Sequence, residues 1–373
     1  MSLTSQAVRS AEATTEASRS TTPGPVSGCD DLPSGFESRL IDAIQPLRFF
    51  MLAINLYQLF ETGLYDLLVS AGSASPAEAA NSKNLDASRV EIFFKYLRNE
   101  GVLEENDGVF TVTRKGHDLA ESRPWYTMFV GGYAETFLQL GDKLQLGSGF
   151  ASRDLAQVGS GSCGISHYDA IPLTRRLMQM VPGDCSRLLD MGCGNGLYLV
   201  EFCKAFPEIE MAVGVEPSAK SCEEAAELIK SHGLQDRVQI VHSPAAEFLS
   251  SDFEFEPDFA VFGFILHEIL GQGGESEMRR FLVELVNRFP DLNLIVIEVD
   301  NQIDNPAVMQ HGLGQAYYNP YYLLHPFTNQ RLETQAFWER IFAECGLAIR
   351  AKEFADSRVD STGLEVGYLL HKA

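Results

Sequence analysis

Asp190, Gly192, Gly194 and Gly196, followed twenty residues on by Glu216, are the residues whose types and spacing could do chemistry most specifically. They sit in Ser-Arg-Leu-Leu-Asp-Met-Gly-Cys-Gly-Asn-Gly, residues 186–196. The apolar pair Leu188-Leu189 ends in Asp190, the chain breaks into glycines, and apolar periodicity resumes from Leu197 to Phe202. That order predicts a buried strand, a glycine turn and a helix. Glycines let a backbone approach a ligand where a Cβ would clash, and the helix start offers free N–H donors. Glu216 closes the next strand-like run, Ala212 to Val215, where a carboxylate can accept both hydroxyls of a ribose. A dinucleotide pyrophosphate is disfavoured, because Asp190 would face its negative charge. A cationic adenosyl ligand, S-adenosylmethionine (SAM), suits the same residues.

Further candidates gather where later strands should end. The fourth strand-like run closes in Phe264-Ile265-Leu266-His267-Glu268, which puts an imidazole opposite the expected SAM methyl. Tyr317, Tyr318, Tyr321 and Tyr322 precede His325. Their rings can wall a pocket and stack on an aromatic ring or a guanidinium; packing within a lid or a dimer contact is the alternative. Glu298 and Asp300 close the fifth strand, where a carboxylate can meet a guanidinium tail, cap a helix or bond a backbone amide. Arg175 is a candidate catalytic residue as a carboxylate clamp, in a segment with Tyr168 and Asp169 that should cover the site.

The elements that must position these residues can be traced along the chain. Helical spacing covers residues 36–75, Ser75-Pro76-Ala77-Glu78 starts a helix, and another runs from Ala87 to Gly101. Residues 102–113 then form a hairpin about an Asp107-Gly108 turn, completing a winged-helix pattern. The second helix and hairpin carry Glu91, Glu100, Glu104, Glu105 and Asp107, a poor phosphate surface, so dimerisation rather than DNA binding is expected. Residues 120–180 read as helical, broken by a loop at Gly159-Ser160-Gly161-Ser162. Strands at 187–190, 211–216, 237–242, 258–264, 292–299, 347–353 and 364–371 alternate with helices at 197–205, 218–232, 275–289 and 334–345. Alternation argues for a doubly wound α/β, Rossmann-like sheet with its ligand at the strand carboxyl ends. The expected domains are a disordered tail (1–35), a winged-helix-like dimerisation domain (36–120), a helical linker and cover (121–180) and a SAM-binding domain (181–373).

Composition bounds the rest. The 373 residues suffice for two domains, and 45% hydrophobic content suits a globular chain. The formal net charge of −22 opposes a nucleic-acid backbone or an anionic membrane and tolerates a cationic ligand. No uninterrupted apolar run reaches about 18 residues, so no spanning helix is expected. Seven cysteines without a CxxC point to free thiols in a reducing cytoplasm, not to a cysteine zinc site.

On these residues the chain resembles the class I SAM-dependent methyltransferases, in particular the small-molecule group with an N-terminal winged-helix dimerisation region. The resemblance implies a homodimer acting on a small molecule, with SAM held by Asp190, Gly192, Gly194, Gly196 and Glu216. Pro244 stands where the family often has an acid for the adenine amino group, which leaves the backbone near Ala245 or the Glu247 side chain for that contact. Two subgroups fit. In plant-type O-methyltransferases a His near 267 is the general base for a phenol. In α-keto acid C-methyltransferases of the phenylpyruvate and 2-ketoarginine type, a His–acid pair follows strand four and a second His lies thirteen residues before a Trp. His267-Glu268 and His325 with Trp338 match that pattern.

In that second subgroup the two histidines hold non-haem iron. The resemblance therefore implies His267 and His325 as ligands of iron or another divalent or trivalent transition metal, with His311 as a rival ligand. Glu268 would lie beside them, orienting an imidazole or assisting proton removal. Such a metal polarises the keto group of a chelated substrate and stabilises an enolate, and two imidazoles leave positions open for a bidentate substrate. The expectation is β-carbon methylation of an α-keto acid, with 2-ketoarginine favoured. The alternative is O-methylation with His267 as base.

Overall fold

The computed structural model of the protein describes residues 34–183 and 185–373. The expected tail at 1–35 lies outside them except for its last two residues, as does Cys29. Met51–Ala373 form one compact unit. The first helix, Phe36–Glu61, exposes Leu40, Ile41, Ile44 and Leu47. By length and composition alone it could cross a bilayer, a test that core helices of soluble proteins also pass. Asp42, Gln45 and Arg48 interrupt its apolar run without ending the helix.

Local chemistry sets the elements that follow. Ser75 and Glu78 form a reciprocal capping box on the helix Pro76–Lys83, and Asp86 caps Ala87–Asn99. Strands β1 (Leu103–Asn106) and β2 (Val109–Val112) pair antiparallel across Asp107 and Gly108, which both take positive φ as a two-residue hairpin turn requires. Leu59, Phe60, Phe94, Leu97 and Phe110 close the core beneath them.

The Gly/Ser run at 159–162 is not a loop. It lies inside the helix Leu155–Ser166, which packs on Arg123–Tyr126 and Thr127–Gly132. A Cβ on Gly161 would stand 2.5 Å from the Met128 backbone nitrogen, so glycine is present for close approach rather than for a turn. Gly161→Ala is expected to lower stability by about 1–3 kcal/mol, read by chemical denaturation. A change below about 0.5 kcal/mol would mean that this packing does not matter.

Seven strands then build one sheet in the order β5-β4-β3-β6-β7-β9-β8. They are β3 (Arg187–Met191), β4 (Met211–Glu216), β5 (Val238–His242), β6 (Phe259–Gly263), β7 (Asn293–Val299), β8 (Leu347–Phe354) and β9 (Glu365–Lys372). The first five are parallel, and β8 and β9 join antiparallel. The sheet order reverses between β3 and β6, and that switch point places the ends of β3, β4 and β6 around one crevice. The helix expected at 275–289 begins earlier, at Leu266, with a break at Gly274 (φ 74°), so His267 and Glu268 lie in a first helical turn. Trp338 is wholly buried against the sheet with Phe342 and Tyr368.

Candidate active site

At the switch point, β3 runs into Gly192, Gly194 and Gly196, all with positive φ, before the helix Leu197–Ala205. A Cβ on Gly192 would lie 2.5 Å from Ile265 Cγ2, so only glycine lets this turn pass beneath the β6 loop. Glu216 at the end of β4 braces the turn: it accepts from Gly194 N–H at 3.0 Å and from Ser218 N–H at 2.9 Å. A cavity of about 550 Å³ opens there. Asp190, Gly192, Gly194, Glu216, Ala245 and Glu268 line it, with the helix Leu155–Ser166 contributing Cys163 and Ser166.

The cavity is electrostatically set for a cation. Asp190 is buried with Oδ2 lacking any hydrogen-bond partner. Burial first, and then the charge of Glu216, push its carboxyl up to about 8. Burial likewise raises Glu216. An orphaned carboxylate oxygen beside a glycine turn, with a second carboxylate at the next strand end, is the acceptor set that the ammonium and ribose hydroxyls of a sulfonium nucleoside need. SAM fits these residues.

Behind the Glu268 wall lie two buried imidazoles. His267 Nδ1 donates to Glu298 Oε2 at 2.8 Å, and His325 Nδ1 donates to the Tyr321 carbonyl at 2.6 Å. Their ring centroids are 5.2 Å apart. Because both acceptors fix the proton on Nδ1, each ring when neutral keeps its lone pair on Nε2. Burial opposes charge on His267, but the Glu298 carboxylate prevails and raises its pKa. His325 is held well below its ordinary value, by burial and then by His267, and is a neutral imidazole. Among the described residues no group of three or more His, Cys, Asp or Glu is arranged to hold a metal. The two histidines stand as a pair.

Glu268 is joined to that pair through Gln330, whose amide donates to Glu268 Oε1 at 2.7 Å and lies 3.3 Å from His267 Nε2. Arg153 grips both Glu268 oxygens at 2.9 and 2.8 Å, which holds the carboxyl below its usual range against the effect of burial. Among the described residues Arg153 is the one Arg or Lys lining the cavity. Backbone bonds from Arg331 N to His267 O and from Gln330 N to His325 O lock the two segments together.

Several expected placements shift. Glu298 does not await a ligand: it serves His267, and Asp300 accepts from Gln335 N–H. His325 lies in a buried helical turn, His325–Phe327. His311 is exposed and bonded to Ser361 and Leu313. Arg175 pairs with Glu201 and does not line the cavity. Glu247 is exposed and also off it, whereas Ala245 lines it. Gly196 caps the following helix rather than facing the cavity. Arg153 and Gln330 carried no sequence signal. Arg153 precedes a helix cap at Asp154, and Gln330 meets His267 across 63 residues of chain.

Residues 188–284 match the family described as "Methyltransferase domain". The chain is 43% identical over 341 residues to a 2-ketoarginine methyltransferase of Streptomyces arginensis, covering 91% of this chain and 98% of that one. It is 24% identical over 307 residues to an indolepyruvate C-methyltransferase of Streptomyces griseus, covering 78% and 84%. Among solved structures, mitomycin 7-O-methyltransferase shares the fold with a TM-score of 0.60 at 16% identity, over 90% of this chain and 98% of that one.

Proposed function

Because the chain belongs to the class I SAM-dependent methyltransferases, we propose that it methylates the β-carbon of an α-keto acid of the 2-ketoarginine type. SAM supplies a methyl carbon already activated by its sulfonium charge. Asp190 meets the cationic end of that nucleoside, Glu216 accepts from its ribose, and the glycine turn gives the backbone access. Arg153 is the cationic complement for a substrate carboxylate. A transition metal held by the Nε2 atoms of His267 and His325 would supply Lewis-acid polarisation of a keto oxygen. Glu298 and the Tyr321 carbonyl keep both rings in the tautomer that presents Nε2, and Gln330 and Glu268 fix the His267 side of the pair.

The observation that carries this reading is the pair of facing, Nδ1-anchored imidazoles, in a chain whose likeness to a 2-ketoarginine methyltransferase is nearly end to end. A simple O-methyltransferase needs His267 with Glu298 and has no use for a second buried neutral imidazole. The test is incubation with SAM and a panel of α-keto acids and phenols, with and without a strong chelator, followed by product mass. Methylated 2-ketoarginine that disappears with chelator is expected. Chelator-insensitive methylation of a phenol alone would transfer the role to His267 as general base.

Asp190 also makes SAM binding pH-dependent. A cation beside it favours the ionised carboxylate, so binding expels a proton wherever the free enzyme holds that carboxyl protonated, which is below about 8. SAM affinity is expected to rise with pH up to that value and then level off. Titration calorimetry in buffers of different ionisation enthalpy should show nearly one proton released near pH 7, lost in Asp190→Asn. Equal proton release by the variant would contradict this assignment. The exposed apolar side chains of Phe36–Glu61 support a homodimer, and the free thiols Cys163, Cys193, Cys203, Cys222 and Cys345 support a cytoplasmic location. Light scattering should give twice the chain mass; a monomer at micromolar concentration would remove the dimer.

A further inference from the structure

Two carboxylates outside the cavity lining have no assigned task. Asp169 caps the helix Ala170–Met178, and Glu365 opens β9 opposite Val299. They are 8% and 4% exposed, and they lie close enough to act on one another. Burial raises both carboxyls first, and the charge of Asp169 adds to this for Glu365. Asp360 beside them is saturated by Tyr318 and Thr362, but Glu365 Oε1 is buried with no partner at all. Arg176 acts on Glu365 only at range and gives its own N–H to the Phe354 carbonyl. A buried carboxylate pair with an orphaned oxygen is costly unless a cationic donor completes it.

The surroundings link this pair to the reaction site. Tyr198 and Ser166, bonded at 2.9 Å, both line the cavity, and Tyr198 lies within electrostatic reach of Asp169 and Glu365. Tyr317 feels the same two carboxylates. Its ring is 5.7 Å from that of Tyr321, which is 4.0 Å from the His325 ring. Trp125 and Phe129 pack edge-on against Tyr317. An aromatic wall therefore runs from the histidine pair to the carboxylate pair. A planar guanidinium stacks on such rings and bonds carboxylates through paired N–H groups.

We infer that Asp169 and Glu365 are the receptor for the guanidinium end of the substrate, with Tyr317 as its stacking face, an assignment that rests on the α-keto acid reading of the site. It makes the pair a specificity determinant: a phenylpyruvate-like acid would leave both carboxylates unmet, while an arginine-derived acid neutralises them.

Two measurements test it on the full chain. The first compares kcat/KM for 2-ketoarginine and for its uncharged ureido isostere, 2-oxo-5-ureidopentanoate, in wild type, Glu365→Gln and Asp169→Asn. A guanidino-over-ureido preference of about 100-fold is expected in wild type, falling to within a few-fold in either variant. A preference that both variants keep overturns the receptor. The second titrates propylguanidinium and propylurea into the SAM-loaded protein. Selective propylguanidinium binding that Glu365→Gln removes supports the receptor even where no keto acid turns over, and then it is the proposed reaction that fails. Equal affinity of wild type for the two probes overturns the receptor, whether or not the variants fold.

Discussion

His267→Gln and His325→Gln are each expected to lower kcat/KM by about a thousandfold while leaving SAM affinity within a few-fold. Glutamine is chosen over alanine because Glu298 is wholly buried and bonds both the backbone N–H and the ring of His267. Removing the ring outright would strand that carboxylate at a folding cost of about 3–5 kcal/mol, confusing instability with lost chemistry. The two variants have different diagnostic value. Loss at 267 is required whether the imidazole is a base or a ligand. Loss at 325 is required only if the rings act as a pair, since a neutral, deeply buried imidazole has no part in a one-base mechanism. Turnover by single-time-point mass assay, with SAM binding by calorimetry in parallel, separates the cases. Full activity of His325→Gln would remove the paired-histidine mechanism.

Glu216→Ala is expected to weaken SAM binding by about 100-fold, roughly 2.7 kcal/mol, with little effect on the rate at saturating SAM. The side chain has two jobs at one position. It closes the turn by accepting from Gly194 and Ser218, and it presents carboxylate oxygens at the β4 end where ribose hydroxyls are received. Loss of charged hydrogen bonds on both counts gives the magnitude. Glu216→Gln keeps one acceptor and should fall between wild type and alanine. A change in kcat without a change in SAM affinity would mean that Glu216 is not in the nucleoside site.

Much of the fold and half of the site could be read from the chain, for physical reasons that differ by residue. The strand–glycine–helix unit at 187–205 is local: apolar run, positive-φ glycines and resumed periodicity lie within twenty residues, so its conformation is encoded where it is used. The same holds for the hairpin turn at Asp107-Gly108. Gly159 to Ser162 misled because a glycine needed for close helix packing has the same local signature as a glycine needed for a turn; only the Met128 backbone on the other side distinguishes them. Glu298 was legible as a strand-end acid, but its partner was not, since the ring it serves comes from a helix that starts at Leu266, ahead of the Gly274 break. Arg153 and Gln330 reach Glu268 and His267 across more than sixty residues of chain, which periodicity and spacing do not encode.

The most direct measurement of the central claim is carbon NMR of the product formed from 2-ketoarginine and SAM labelled with ¹³C in its methyl group. The paired-histidine account predicts a single labelled methyl bonded to carbon, showing one-bond coupling when the β-carbon is also labelled. A labelled methyl on oxygen or nitrogen, or an unlabelled substrate returned intact while a phenolic acceptor is methylated, would contradict it.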